Sequence, residues 1–146
     1  MPTLIHPISA AGPILELWVG VTEMREASLR AAGLDVPPAV RARALIDTGA
    51  SAVLVDTSII ERLALTPTGA SHMHTPSTAG APCAVSLYDV ALHVVDHPTG
   101  QVVSSALEVV GHPLAQQHIG ILLGRTFLAS CLMTYDGPGR RFTLEY

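Results

Sequence analysis

The sequence predicts an all-β fold with one or two short helices in a single domain, and three observations indicate this fold class. First, 11 prolines and 12 glycines interrupt the chain at short intervals, which is typical of β domains with many turns. Second, the apolar stretches between the turns are short, and in Val40–Ile46 apolar residues alternate with arginines, which is the period of a half-buried strand. Third, 146 residues make one domain with a substantial core but are too few for two ordinary domains.

Local patterns then predict the elements in order. Strands are expected where apolar or alternating residues run between turns, at 14–21, 40–46, 52–55, 83–95, 102–110, 119–123, 132–135 and 140–146. Short helices are expected at about 57–65 and at 125–131. The segment 23–32 is either a short helix or an irregular excursion, and 112–118 is either a helical turn or a loop. Asp56 or Thr57 can form the N-cap of the helix at about 57–65. The residues at 66–82 are mainly Thr, Pro, Ser, Gly, Ala and His, which predicts a loop or a hairpin tip.

The overall composition limits the classes of partner. The chain is 49% hydrophobic and 14% charged, and its mean hydropathy is +0.42, which is apolar for a soluble monomer. No apolar run reaches the roughly 18 residues that a membrane-spanning helix needs. We therefore expect part of the apolar surface to be buried between subunits. The formal net charge of -4 argues against nucleic acid or an anionic membrane as a partner.

The N-terminal sequence and the cysteines favour a cytoplasmic location. No basic segment followed by a long apolar segment is visible near Met1, so no secretory signal is expected. Cys83 and Cys131 are too few for a disulfide framework or a zinc knuckle, and we expect both to be small buried hydrophobic residues in a reducing compartment. Trp18, the single tryptophan, is expected in the core.

The segment most suited to a catalytic role is the Asp-Thr-Gly turn at 47–49, which follows the end of an apolar strand. A strand held in the core would fix the carboxylate of Asp47 in place. The Thr48 hydroxyl could lock the turn, and Gly49 would let the backbone approach a second chain closely. Such a tripeptide is also compatible with an ordinary β-turn in which Asp47 only accepts hydrogen bonds from backbone N–H groups.

A second motif, Leu122-Leu123-Gly124-Arg125, stands about 70 residues later, and the glycine-bearing segment Thr75–Gly80 lies between the two. With this order and spacing, the chain from about residue 14 to its end resembles the retropepsin family, the homodimeric aspartic proteases of retroviruses and their relatives. The resemblance implies a retropepsin-like acid-protease barrel over 1–146, with terminal strands shared between two subunits. It also implies a flap at about 69–84, and an insertion at about 22–37 relative to the retroviral forms.

The resemblance implies roles for individual residues, and no cofactor. The catalytic set would be Asp47, Thr48 and Gly49. The residues that contact substrate would be Ala50, Thr75, Pro76, Ser77, Thr78, Ala79, Gly80 and Leu123. The structural and dimer residues would be Thr48, Gly124, Arg125, Phe142 and Leu144. Because the chain has one Asp-Thr-Gly, a two-carboxylate site that cleaves peptides or proteins requires a homodimer.

The sequence departs from the family pattern at two positions, and this leaves an alternative function open. Retroviral proteases usually carry an acidic residue after Asp-Thr-Gly-Ala, which pairs with the late arginine, but this chain has Ser51. Thr126 replaces the usual Asn or Asp after Arg125. The alternative is a catalytically silent dimer of the same fold that binds a peptide or protein without cleaving it.

The seven histidines do not predict a metal site. His72 and His74 would point to one side of an extended strand, and His93 and His97 are four residues apart, but no cysteine lies near either pair to complete a ligand set. His72 and His74 fall in the expected flap, where they could instead contact substrate.

Overall fold

A computed structural model describes residues 1–74, 79–95 and 101–146. Ten strands lie within these ranges: β1 Thr3–Pro7, β2 Ile14–Gly20, β3 Val40–Ile46, β4 Leu54–Val55, β5 Gly69–Met73, β6 Cys83–Val94, β7 Val102–Gly111, β8 Ile121–Leu123, β9 Leu132–Asp136 and β10 Arg141–Glu145. The helices are α1 Glu23–Ala31, α2 Thr57–Arg62 and α3 Arg125–Leu128, with a 3₁₀ turn at Ala115–Gln117. The predicted all-β fold with short helices is confirmed.

Six strands form a closed barrel in the order β2-β3-β8-β4-β7-β6, because β6 also pairs with β2. Strand β5 pairs with β6 outside this ring and is the edge of the sheet. In β3 the alternate residues Val40, Ala42, Ala44 and Ile46 are buried, as the period of two predicts. At 12 residues, β6 is long enough to pair with β5 at one end and with β2 at the other.

Strand β8 lies between two strands that are consecutive in the chain. It pairs in parallel with β3, where Ile46 is opposite Leu123, and antiparallel with β4, where Leu54 is opposite Leu122. The connection from β3 to β4 must therefore pass over the end of β8. As a result, the turn at 47–53 lies against residue 124.

The terminal strands form a second sheet in the order β1-β10-β9, with all pairs antiparallel. Phe142 and Leu144 of β10 are fully buried and belong to the main core cluster, which joins this sheet to the barrel. Both edges of β10 are occupied within one chain. A partner subunit could therefore extend this sheet only at β1 or at β9, and sharing of terminal strands stays a prediction.

Several predicted details need correction. Strand β1 was not predicted, and β5 lies in the segment where a loop or hairpin tip was expected. Trp18 is 36% exposed, since it lies on the outward side of the alternating strand β2. Both cysteines were expected to be buried, but Cys83 is exposed and Cys131 is half-buried. No helix in the described part of the chain is both long and apolar enough to span a membrane.

Candidate active site

The turn that carries Asp47 is fixed mainly by backbone hydrogen bonds. The N–H of Asp47 donates to the carbonyl oxygen of Leu123 at 3.0 Å, and the N–H of Ala50 donates to the carbonyl oxygen of Asp47 at 3.2 Å. The N–H of Gly49 donates to the carboxylate Oδ1 of Asp47 at 2.8 Å. The side chain of Asp47 is half-buried, whereas Thr48 and Gly49 at the tip of the turn are exposed.

Gly124 is required at the point where β8 ends against this turn. A Cβ atom at this position would lie 2.1 Å from the carbonyl oxygen of Ala52 and 2.9 Å from that of Ala50. The φ angle of −87° suits any residue, so the requirement is for space. Beyond the glycine, the N–H of Arg125 donates to the carbonyl oxygen of Ala50 at 2.9 Å, and that of Thr126 to Ser51 at 3.0 Å. The start of α3 is thereby attached to the Asp47 turn.

The side chain of Arg125 stabilises the same turn from outside. Its Nη1 donates to the carbonyl oxygen of Thr48 at 2.9 Å and to that of Gly49 at 3.1 Å. Arg125 therefore has hydrogen-bond partners in these two carbonyl groups, although Ser51 stands where the family pattern has an acidic residue. The missing acid therefore does not leave the turn without support.

A cleft of about 490 Å³ opens beside Asp47. Its apolar lining comes from four separate parts of the fold: Ala50, Ala52, Leu54, Met73, Leu114 and Leu122. The polar lining includes His74, His112, Gln117 and Arg125. A concave, mainly apolar site with a few polar groups is the usual form of a binding pocket.

The predicted substrate-contacting residues are only partly brought together. Ala50 lines the cleft, whereas Leu123 has no exposed surface and Leu122 lines the cleft from the same strand. Ala79 and Gly80 form an exposed turn with φ angles of 48° and 84°. The remaining four, Thr75, Pro76, Ser77 and Thr78, lie outside the described residues.

The segment expected to be a flap contains a pair of antiparallel strands, and its role as a flap stays a prediction. Strands β5 and β6 pair from Gly69 opposite Leu87 to Met73 opposite Cys83. Met73 and His74, at the end of β5, line the cleft, so this pair of strands stands over the Asp47 side of the barrel. Contact of His74 with substrate stays a prediction.

Sequence reasoning missed the wall of the cleft formed by His112, Leu114 and Gln117. These residues follow β7, whose end pairs in parallel with β4, and that pairing brings them beside the Asp47 turn. A parallel pairing between distant segments leaves no short motif in the sequence. No pattern at 112–117 could have identified them.

Behind this wall lies Asp56, which is 6% exposed and forms the N-cap of α2. Its Oδ1 accepts hydrogen bonds from the N–H of Ser58 at 2.9 Å and from the Ser58 hydroxyl at 2.5 Å. Its Oδ2 accepts one from the N–H of Leu114 at 2.6 Å. Burial raises the pKa of this carboxyl, but the hydrogen bonds from Ser58, Leu114 and Ala115 together outweigh burial and hold the pKa below its ordinary value of 3.8.

Among the residues that the structure describes, no group of three or more His, Cys, Asp and Glu side chains could hold a metal ion.

The family model described as aspartyl protease matches residues 28–127. The chain is similar to a retropepsin-like aspartic protease from Rickettsia conorii, with a TM-score of 0.59 and 17% identity over 99% of this chain and 91% of the other. That similarity shows a retropepsin-like fold.

Two viral structures are also similar over part of the chain. A foamy viral protease-reverse transcriptase in complex with an RNA/DNA hybrid has a TM-score of 0.47 and 17% identity, over 80% of this chain and 12% of the other. The EIAV protease complexed with the inhibitor HBY-793 has a TM-score of 0.38 and 18% identity, over 61% and 75%. No curated protein sequence matches the chain.

Proposed function

The chain belongs to the aspartyl protease family, and from this premise we propose that it is an aspartic endopeptidase that acts as a homodimer. The observation that carries the proposal is the position of Asp47, held on a backbone-braced turn beside a peptide-sized cleft. One oxygen of its carboxylate accepts a hydrogen bond from Gly49. Among the described residues no donor is paired with the other oxygen, which leaves it for a water molecule or a second carboxylate.

The need for two chains follows from the chemistry. Hydrolysis by this type of site requires one carboxylate that is ionised and one that is protonated, and the sequence contains a single Asp-Thr-Gly. The exposed tip at Thr48 and Gly49 is available for contact with the same turn of a second copy. A two-fold axis through this contact would place the two Asp47 side chains next to each other.

In the proposed reaction, two carboxylates about 3 Å apart share one proton, since both cannot ionise at that distance. The ionised carboxylate accepts a proton from a bound water as the water oxygen attacks the peptide carbonyl carbon. The protonated carboxylate donates its proton to the carbonyl oxygen, and a tetrahedral intermediate forms. The carboxylate that took the proton from water then donates it to the nitrogen as the C–N bond breaks. The other carboxylate takes back a proton from a hydroxyl of the intermediate, and no covalent intermediate with the enzyme forms.

The substrate class is an extended peptide or protein segment. Leu54, Leu114 and Leu122 give the cleft an apolar wall that suits an apolar side chain next to the scissile bond. The residues of β5 from Gly69 to His72 are exposed, and this edge strand has backbone groups that can pair with a bound peptide. The flap at about 69–84 and the dimer contacts of Phe142 and Leu144 remain parts of this proposal.

The alternative is a silent dimer that only binds peptides; the intact Asp-Thr-Gly disfavours it, and only the missing acidic partner of Arg125 leaves it open. The carbonyl oxygens of Thr48 and Gly49 supply partners for this side chain. The missing acidic residue therefore no longer supports the alternative, and we propose peptide cleavage as the function.

The test is a subunit-mixing experiment with Asp47→Asn, in which the amide keeps the shape of the side chain but cannot exchange the proton. We expect the variant to fold and to cleave at least about a thousandfold more slowly. When a ninefold excess of the variant is equilibrated with wild type, activity per wild-type chain should fall to about one tenth, because most wild-type chains enter mixed dimers.

Asp35→Asn is the matched control, since Asp35 is exposed and lies outside the cleft. It should cleave at the wild-type rate and should not reduce activity on mixing. Undiminished activity in the Asp47→Asn mixture would mean that each chain works alone. Wild-type cleavage by Asp47→Asn itself would exclude Asp47 as the catalytic residue.

A further inference from the structure

The contact between Asp56 and Leu114 joins two parts of the chain that are 58 residues apart. Ser58 would be enough to satisfy a helix N-cap, and its N–H and hydroxyl both donate to Oδ1. The second oxygen, Oδ2, instead accepts the N–H of Leu114 at 2.6 Å. One carboxylate thus starts α2 and also holds the backbone of the segment that follows β7.

The segment held in this way is a wall of the cleft. Leu114 is 1% exposed and lines the cleft together with His112 and Gln117. The N–H of Gln117 donates to the carbonyl oxygen of Leu114 at 2.9 Å, and the N–H of His112 donates to that of Val55 at 3.0 Å. Two hydrogen bonds, accepted by the neighbouring residues Val55 and Asp56 at the end of β4, therefore position the wall.

The anchor is separate from the catalytic turn. The bonds that fix the Asp47 turn go to Leu123, Gly49 and Arg125, and none of them involves Asp56. A change at Asp56 should therefore move the wall of the cleft without moving the carboxylate of Asp47. This separation makes the role of Asp56 measurable.

We propose that Asp56 is a positioning residue for substrate binding, which fixes the wall at 112–117 at the distance from Asp47 that the substrate side chain requires. The inference rests on the proposed peptidase function, since it concerns the same cleft. It assigns to Asp56 an effect on substrate binding that is separate from its effect as a helix cap.

The discriminating variant is Asp56→Ser. Serine is a good N-cap, but its side chain is too short to reach the N–H of Leu114 while it caps α2. We expect KM for an apolar peptide to rise about tenfold or more, the equivalent of one hydrogen bond to a charged group, with kcat within about twofold of wild type. Asp56→Asn, a milder change, should raise KM less, because a single amide oxygen cannot accept from both Ser58 and Leu114.

Thr22→Ala is the matched control for lost helix capping. The hydroxyl oxygen of Thr22 caps α1 by accepting from the N–H of Arg25 at 3.2 Å, and Thr22 lies outside the cleft. This variant should lose a comparable capping interaction with KM unchanged. A KM increase of the same size in Thr22→Ala, or wild-type KM in both Asp56 variants, would overturn the proposal.

Amide hydrogen exchange provides a readout that does not depend on catalysis. In Asp56→Ser the exchange of the Leu114 N–H should accelerate about tenfold or more, whereas the Leu63 N–H, bonded within the α2 region to Ile59 at 3.0 Å, should keep its protection. If wild type cleaves no peptide, the proposed function fails while this measurement still tests the anchor. If Leu114 exchanges at the wild-type rate in the variant, the anchor fails whatever the activity.

Discussion

Two aspartates follow the two strands that flank β8 in the barrel, and their surroundings differ. Asp47 follows β3 and Asp56 follows β4, and both strands pair with β8. Among the described residues, the carboxylate of Asp47 accepts one hydrogen bond and is half-buried, whereas that of Asp56 accepts several, from Ser58 and Leu114 among others, and is 6% exposed. The carboxylate with many donors is the one we propose as an anchor, and the carboxylate with one donor on a rigid turn is the one we propose for catalysis.

The largest effect on stability and activity should come from Gly124→Ala, which disturbs the Asp47 turn and leaves the contacts of Asp56 unchanged. The added Cβ would lie 2.1 Å from the backbone oxygen of Ala52, so the turn or β8 must shift. We expect the free energy of unfolding to fall by about 3 kcal/mol and activity to be lost with it, as measured by urea denaturation and peptide cleavage.

Gly137→Ala is the control for that substitution, since the nearest atom to its Cβ would be a ring carbon of Tyr135 at 3.9 Å. It should change stability by no more than about 0.5 kcal/mol. Equal stability of the Gly124→Ala and Gly137→Ala variants would mean that the close approach at Gly124 is not a constraint.

The second prediction concerns the pH dependence of stability through Asp56. Its pKa in the folded protein lies below the ordinary value of 3.8, so its contribution is present above that value and is lost as the pH falls through the lower folded value. Asp56→Asn should lower the free energy of unfolding by about 2 kcal/mol at pH 6. The difference between variant and wild type should shrink below about pH 3.8, as followed by urea denaturation at several pH values. A difference that grows on acidification would contradict the assigned direction.

A smaller effect is expected from Arg125→Gln, which removes the outer support of the Asp47 turn and leaves the Asp56 anchor intact. The two bonds to Thr48 and Gly49 come from an exposed side chain, so we expect a loss of about 1 kcal/mol in stability. Cleavage should slow by about tenfold because Asp47 is held less firmly. The exposed Arg62, changed to Gln, should have neither effect, and a wild-type rate in Arg125→Gln would show that the backbone bonds alone fix the turn.

The smallest effect is expected from a substitution that adds a hydrogen-bond donor beside the carboxylate of Asp47. Ala50 offers no hydroxyl, and Ala50→Ser would supply one beside the turn. A hydrogen bond to the ionised carboxylate favours the ionised form, so the pH–rate profile should move toward acid by a few tenths of a unit up to about one unit. A move toward alkaline pH would show that the hydroxyl does not donate to the carboxylate.

Local chemistry made much of the fold predictable from the sequence. The alternation in Val40–Ile46 identified β3, and its bounds are those predicted. Asp56 was one of two expected N-caps and is the residue that caps α2. Asp47 was expected at the end of β3, and its position there follows from the same strand pattern. In each case the determining interactions lie within a few residues.

Features that depend on distant partners were not predictable in the same way. Strand β1 has five residues and gains its order from pairing with β10, at the other end of the sequence. The bonds from Arg125 go to backbone carbonyls, which every residue carries and which therefore leave no mark in the sequence. The contact of Asp56 with Leu114 is of the same kind.

The position of β10 between β1 and β9 has a consequence for folding during synthesis. Thr3 pairs with Glu145, so this sheet has a high contact order and cannot close until nearly the whole chain is available. At about 5–20 residues per second on the ribosome, β1 waits on the order of ten seconds for its partner. Until then Phe142 and Leu144 are missing from the core, and the barrel residues that they cover are exposed to chaperones and to other nascent chains.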